Sequence, residues 1–451
     1  MAGEWQQKPL VELCLYLNRG SAPAYVTTGG VLVLNQKCVR DQRVEFLEAR
    51  CTDAASKPIT AERMLCPWDV VVNSTGVGTL GRVAQVKTLP GPATVDSHMT
   101  IVRPDPRVID PEYLGLVVRL FETQIKELGE GSTGQTELSR GRLGSLVVPV
   151  APRSEQRAIA HILGTLDDRI ELNRKMNEAL EAMARALFKS WFIDFDAVRA
   201  KAEGRDPGLP ADIISLFPDS FEDSDLGEIP KGWTLGVLDQ LVDRVLGGDW
   251  GADEGTDETS ESVRCIRGAD IPDLQTGGTG KMPARFLKRT SLEKRRLSDG
   301  DVVVEISGGS PTQSTGRPVL VSGALLGRLD MALVCSNFCR VVKLKSPALS
   351  KFVYLWLRSL YANDEFFQFE NGTTGIKNLA FTRFSSDYKL CVPPLKVLKT
   401  FDQYVSPLFE KQQMNAAETD TLSALRDTLL PELLSGELPV QDVAKSERRF
   451  P

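Results

Sequence analysis

The stretch PWDVVVNSTGVGTLGRV (67–83) returns later in the chain as DGDVVVEISGGSPTQSTGRPV (299–319), with a three-residue insertion before the shared Gly-Arg. Working outward, Trp5, Leu10, Leu13 and Gly20 are matched at a constant offset by Trp233, Leu238, Leu241 and Gly248, and MTIVRP (99–104) by CRVVKL (339–344). GSTGQTEL (131–138) returns as GTTGIKNL (372–379), after which each copy passes through a short apolar strand into a proline, Leu146 to Pro152 and Leu390 to Pro394. Six matches in one order identify an internal duplication. The β-branched runs VLVLNQ, DVVVNS, MTIVRP, DVVVEIS and CRVVKLK predict short strands, and 111–128 and 347–361 predict helices between them. Each copy is therefore an α/β (α+β mixed) module of about 150 residues.

Each copy closes on a long helical stretch. Ile159, Leu163, Leu166, Ile170, Asn173, Asn177, Leu180, Ala184, Leu187 and Trp191 recur at alternating steps of four and three, the spacing of a coiled-coil seam. Phe401, Val405, Leu408, Gln412, Asn415, Thr419, Leu422, Arg426, Leu429 and Leu433 repeat the register, with Asn415 answering Asn173. Polar seam positions fix register at a cost in stability, so two long helices packed in one alignment are expected; two separate amphipathic helices are the alternative. The expected boundaries are a first module at 1–152, a helix at 153–204, a Pro- and Asp-rich linker at 205–229, a second module at 230–394, a helix at 395–440 and a tail at 441–451. Pro407 is expected to kink or break the second helix, Pro431 to disturb its end, and the acidic segment 249–261 to be a solvated loop.

With 451 residues, 42% hydrophobic and 25% charged, the chain is ordinary globular material with no apolar run near the roughly 20 residues of a membrane span. The N-terminus lacks a basic region leading into an apolar core, so no membrane association and a cytoplasmic location are expected. Eight cysteines at no recurring spacing imply buried free thiols rather than a metal site. The net charge of -6 argues against a freestanding coat-like DNA binder.

No catalytic constellation is legible. Pro393-Pro394 follows Val392 and precedes Leu395, so no Asn/Asp-Pro-Pro-aromatic methyltransferase motif exists, and GGTGKM (277–282) lacks the spacing and Ser/Thr of a phosphate loop. The duplicated loops offer surfaces for reading instead. In the first copy Asn73, Ser74, Thr75, Gly76, Thr79 and Arg82 follow the strand, and in the second Ser307, Ser310, Gln313, Ser314, Thr315 and Arg317 do. Such hydroxyls, amides and arginines suit base edges and phosphates, and an ordinary Gly/Ser turn is the alternative. Ser132, Thr133, Gln135, Arg140 and Arg142, with Thr373, Thr374, Lys377, Asn378 and Arg383, are expected to contact phosphate, and His98, Arg267 and Asn337 complete the candidate contacts. RFLKRTSLEKRR (285–296) is either a local basic face or plain solvated surface.

Two α/β modules, each ending in a long helix, with PRSEQRAIAHILGTLDDRIELNRKMNEALEAMARALFKSWFIDFDAV (152–198) after the first, resemble the specificity subunit of a type I restriction-modification system over essentially the whole chain. The second helix departs from the pattern, with Val397-Leu398 where the family usually has Glu-Gln. The resemblance implies two target recognition domains, each reading half of an asymmetric bipartite double-stranded DNA site, held apart by two antiparallel coiled-coil spacer helices in a pseudo-twofold arrangement. It implies two methyltransferase subunits and restriction subunits as partners. S-adenosylmethionine, ATP and Mg would belong to those partners, with no cofactor, metal or catalytic residue in this chain. Arg157, Asp167, Asp168, Arg174, Phe188, Trp191 and Phe192 are the expected partner contacts, together with Arg169, Glu171 and Lys175. A solitary DNA-binding decoy and a two-module scaffold for proteins or peptides remain as rival readings.

Overall fold

The computed structural model describes residues 5–131, 136–309, 313–372 and 376–440. It divides into two units, one of residues 1–169 and 421–451, the other of residues 170–420.

The first unit is built around an antiparallel sheet in the order Cys14–Arg19, Met99–Pro104, Val70–Asn73, Val83–Gln85. A second sheet pairs Ala93–Val95 with Val31–Leu34 in parallel, and a ribbon pairs Gln6–Pro9 with Val147–Val150. The run of three valines in DVVV reflects burial on both faces. Val70, Val72 and Val102 pack toward the helix Pro111–Leu120, whereas Val71, Met99 and Ile101 pack toward Leu34 and Val95. The first of these clusters also holds Ile159, Leu163, Leu430, Leu433 and Leu434, so the far C-terminal stretch completes the N-terminal core.

The second unit repeats the plan. Its main sheet runs Val242–Gly247, Cys339–Leu344, Val302–Glu305, Pro318–Leu320, a parallel pair joins Glu261–Ile266 to Ala332–Cys335, and Thr234–Val237 pairs with Lys389–Val392. Val302, Val304 and Val342 face the helix Ser350–Ala362, and Val303 and Val341 face the opposite cluster. Even the tight packing is duplicated. A Cβ on Gly20 would lie 2.0 Å from the Val95 carbonyl oxygen and one on Gly248 2.0 Å from that of Ser336, so only glycine fits either place. Asp69, fully buried, accepts from the Cys66 backbone (2.8 Å) and pairs with Arg103 (2.8 Å); Asp301 accepts from the Ser298 backbone (2.8 Å) and pairs with Lys343.

The two long helices span Arg153–Phe192 and Leu395–Ser435. The second runs on through Pro407 and Pro431, so the break that was one of the two outcomes expected at Pro407 is not seen, although each proline forfeits one backbone hydrogen bond. The first stops short of the expected Gly204. Phe195 adopts a left-handed backbone (φ 55°) and a separate helix, Asp196–Ala202, follows. Within the second unit Asn173 and Asn177 are buried against Gln412 and Asn415. Asn173 Nδ2 donates to the Asn415 carbonyl (3.3 Å), Asn177 Nδ2 to the Gln412 carbonyl (3.1 Å), and Asn415 Nδ2 to Asn177 Oδ1 (2.9 Å). These pairings run antiparallel and accept one register only.

One of the two loop expectations is corrected. The 205–229 linker is folded: Phe221–Ser224 and Gly227–Pro230 form a hairpin, and Ile213, Phe217 and Ile229 are buried. The acidic segment 249–261 is the solvated loop expected, exposed along 253–258, and it is tethered by ion pairs. Arg285, itself buried, donates to the Trp250 carbonyl (3.0 Å) and pairs with Asp253, and Lys288 pairs with Glu258 (2.7 Å). The acidic run thereby pairs with two residues of the basic stretch, while Arg289, Lys294 and Arg296 stay exposed. The tail 441–451 lies outside the described residues.

Candidate nucleic-acid interface

In both units the exposed tips lie where the strand after DVVV meets the segment returning from the Gly-Thr-rich loop. In the first, the Ser74 amide donates to the His98 carbonyl (2.8 Å) and the Leu138 amide to the Ser74 carbonyl (2.8 Å). In the second, the Ile306 amide donates to the Phe338 carbonyl (2.8 Å) and the Leu379 amide to the Ile306 carbonyl (2.8 Å). The same backbone frame therefore presents Thr75, His98 and Glu137 in one unit and Ser307, Phe338 and Asn378 in the other.

Around the first tip, Thr75 Oγ1 lies 2.9 Å from His98 Nδ1 and accepts from Gln36 Nε2 (2.6 Å), while Thr79 Oγ1 donates to the Thr75 carbonyl (3.3 Å). His98 is exposed, Arg140 is exposed, and Arg142 pairs with exposed Glu130. Gly76 (φ 103°) and Gly81 (φ 80°) supply left-handed turns closed to side chains. Around the second tip the Ser307 hydroxyl donates to Asn378 Oδ1 (2.6 Å), Gln313 Nε2 donates to the Tyr361 hydroxyl (3.1 Å), and Asn337 is exposed. A cleft of about 570 Å³ opens beside it, lined by Ile306, Arg340, Leu379, Phe381, Thr382 and Arg383.

Several expected contacts prove to be framework. Asn73 is buried and donates to the Gln36 carbonyl (3.0 Å), and buried Ser74 bonds to Thr100 (2.6 Å). Arg82 turns back onto the Gly78 and Val39 carbonyls (2.9 and 3.3 Å). Ser314 is buried, and buried Thr315 donates through its hydroxyl to Glu370 (2.9 Å), which also holds Lys377 (2.8 Å). Arg317 is forked onto buried Glu305 (2.7 Å for both bonds), and Arg267 onto buried Asp270 (2.9 and 3.0 Å). A guanidinium already matched to a carboxylate has no fork to offer a base. Ser132, Thr133, Gln135, Ser310, Thr373 and Thr374 lie outside the described residues.

The expected partner contacts divide in the same way. Phe188, Trp191 and Phe192 are 2%, 2% and 4% exposed and pack on Phe352 and Phe401, so their rings form core rather than a docking face. Asp167 ties Arg119 (2.9 Å) to Arg426 (3.0 Å), Asp168 holds Lys87 (2.7 Å), and Arg174 pairs with Glu171 (2.7 Å) and Glu178. Arg157 is exposed. Phe338 and Arg340 were missed by motif reading, yet the offset of 240 that pairs MTIVRP with CRVVKL also pairs His98 with Phe338.

Among the described residues no cluster of three or more His, Cys, Asp or Glu could hold a metal, and no helix is long and apolar enough to cross a membrane. Residues 63–182 match the family described as type I restriction modification DNA specificity domain. Along 92% of its length the chain is 25% identical to the type I restriction enzyme HindI specificity subunit of Haemophilus influenzae, covering 94% of that protein. It is 27% identical to the MjaIX specificity subunit of Methanocaldococcus jannaschii, over 82% of this chain and 78% of that one. In fold it is similar to the crystal structure of the type I restriction-modification S subunit from M. genitalium, with a TM-score of 0.51 at 15% identity and coverage of 95% and 96%.

Proposed function

We propose that this chain, similar along most of its length to specificity subunits of type I restriction-modification systems, is the DNA address-reading, non-catalytic subunit of such a complex. Each unit reads one half of an asymmetric bipartite duplex site through its exposed strand tip. The observation that carries this reading is one backbone frame occurring twice with different side chains at its tip, Thr75, His98 and Glu137 against Ser307, Phe338 and Asn378. A symmetric homodimer would read a palindrome; a duplicated chain with divergent tips reads two unlike halves.

The long helices act as antiparallel coiled-coil spacers that fix the unread gap. At 1.5 Å per residue, a 40-residue helix is about 60 Å long, nearly two turns of B-DNA. Two methyltransferase subunits dock along them through exposed positions such as Arg157 and Lys175, and restriction subunits join that assembly. S-adenosylmethionine, ATP and Mg are bound by those partners, and the complex works in the cytoplasm. The partners also supply much of the phosphate neutralisation that a chain of net charge -6 does not.

Mapping methylated adenines in cells with and without the gene tests the proposal. Loss of methylation at one bipartite motif is expected; an unchanged methylation pattern refutes it.

A further inference from the structure

The two units can be compared position by position, and the comparison separates what both tips share from what distinguishes them. Arg142 and Arg383 are shared. Each follows its buried leucine, Leu138 or Leu379, by four residues, and each is the third residue of a short helix, Arg140–Gly144 or Phe381–Asp387. Both are exposed and paired with exposed carboxylates, Arg142 with Glu130 and Arg383 with Asp387 (3.6 Å), the latter guanidinium also lying 5.5 Å from the centre of the Phe369 ring. Such surface pairs are weak and exchange readily for phosphate.

His98 and Phe338 differ. They are fixed by the same backbone bond to the neighbouring strand and both project into solvent. His98 Nδ1 faces Thr75 Oγ1, which leaves Nε2 for an outside partner. Phe338 is 49% exposed beside exposed Asn337, at the end of the strand pair that borders the Ile306, Arg340 and Arg383 cleft. A large aromatic ring gains nothing there from the protein's own core. It has the chemistry for apolar contact with a base or for insertion at a base step, whereas an imidazole hydrogen-bonds to a base edge.

We propose that this tip residue, His98 in one unit and Phe338 in the other, is the specificity-determining contact that makes the two half-sites differ, while Arg142 and Arg383 make an equivalent, sequence-independent phosphate contact in each. The assignment rests on the DNA-reading function proposed above.

The test uses the full chain assembled with its modification subunits and a pool of duplexes of randomised sequence, the bound fraction being sequenced for wild type, Phe338→Ala, Phe338→His, His98→Ala, Arg142→Ala and Arg383→Ala. Failure of the wild-type assembly to select any bipartite motif overturns the proposed function itself. With that motif present, both Phe338 variants are expected to lower base discrimination about 10-fold at positions in one half, and His98→Ala in the other half. Arg142→Ala and Arg383→Ala are expected to keep the motif, weaken binding to all sites alike and reduce the salt slope by about one each. An unchanged motif in the Phe338 and His98 variants, changes confined to the same half, or a uniform loss of affinity without altered preference would overturn the assignment. All four positions are exposed, and an unshifted thermal midpoint confirms that each of the five variants is folded.

Discussion

Replacing Gly20 by alanine tests the packing of the first unit, and replacing Gly248 tests that of its twin. The new Cβ would lie 2.0 Å from the Val95 carbonyl oxygen and 2.4 Å from that of Asp96. Ordinary contact needs roughly 3.2–3.4 Å, so backbone must retreat by about 1.2 Å, and the obstructing atoms are not flexible side-chain ends. That segment is pinned: the Asp96 amide donates to the Leu34 carbonyl (2.9 Å) and the Gly20 amide to the Met99 carbonyl (3.1 Å). Losing or stretching two buried hydrogen bonds costs about 1 kcal/mol each, and overpacking adds about 1–3 kcal/mol, for a destabilisation of about 3–5 kcal/mol. Gly248→Ala, with contacts of 2.0 and 2.4 Å to Ser336 and Cys335, is expected to match it within about 1 kcal/mol. Gly91→Ala, which meets nothing within 4 Å, serves as the control and should stay within about 0.5 kcal/mol of wild type. Hydrogen exchange resolved by peptide on the full chain reads each unit separately. The loss should map to 14–104 for Gly20→Ala and to 242–344 for Gly248→Ala. A cost below about 1 kcal/mol for both would refute the close approach and the equivalence drawn from it.

Asp69→Ala leaves Arg103 largely buried without its carboxylate, and a loss of about 3–5 kcal/mol is expected in urea unfolding followed in the first unit. Phe192→Ala opens an aromatic core between Phe352 and Phe401, costing about 3–5 kcal/mol. The variant should therefore unfold before any selective loss of partner docking is seen, and a stable variant deficient only in docking would contradict the core placement. Burial pushes the Cys265 and Cys339 thiols up to about 12. At pH 8 their thiolate fraction is on the order of 1 in 10,000. A thiol reagent should label exposed Cys66 promptly and these two only on unfolding, whereas fast native labelling of Cys265 would disprove their burial.

The duplication was legible because both copies bury the same sheet on two faces, which forces valine runs that a reader can align. The pairing of the two long helices within the second unit was legible for a similar reason: Asn173, Asn177, Gln412 and Asn415, which meet there, keep the step of four and three. The candidate contacts were less legible. Asn73, Ser74, Thr315 and Arg317 have the composition of a reading loop, yet composition does not say which of them are consumed in holding the loop together. Arg317 meets Glu305 from twelve residues away, a pairing that no local motif announces. Phe188, Trp191 and Phe192 misled for the opposite reason: a cluster of aromatics near a helix end suits an interface, and here a folded connector and the second helix cover it. Arg285 and Asp253 show the same limit for charge, since a basic run and an acidic run that look independent in sequence are partners in the fold.

Leu429, Leu430, Leu433 and Leu434 belong to the same core as Leu10, Leu13 and Ile159, and this sets the order of events during synthesis. Between Arg169 and Thr421 the ribosome must make the entire second unit before the first can be finished. At roughly 5–20 residues per second that interval is about 13–50 s. The nascent N-terminal half waits through it with an unfilled apolar face, and a premature stop anywhere in the second half strands it there.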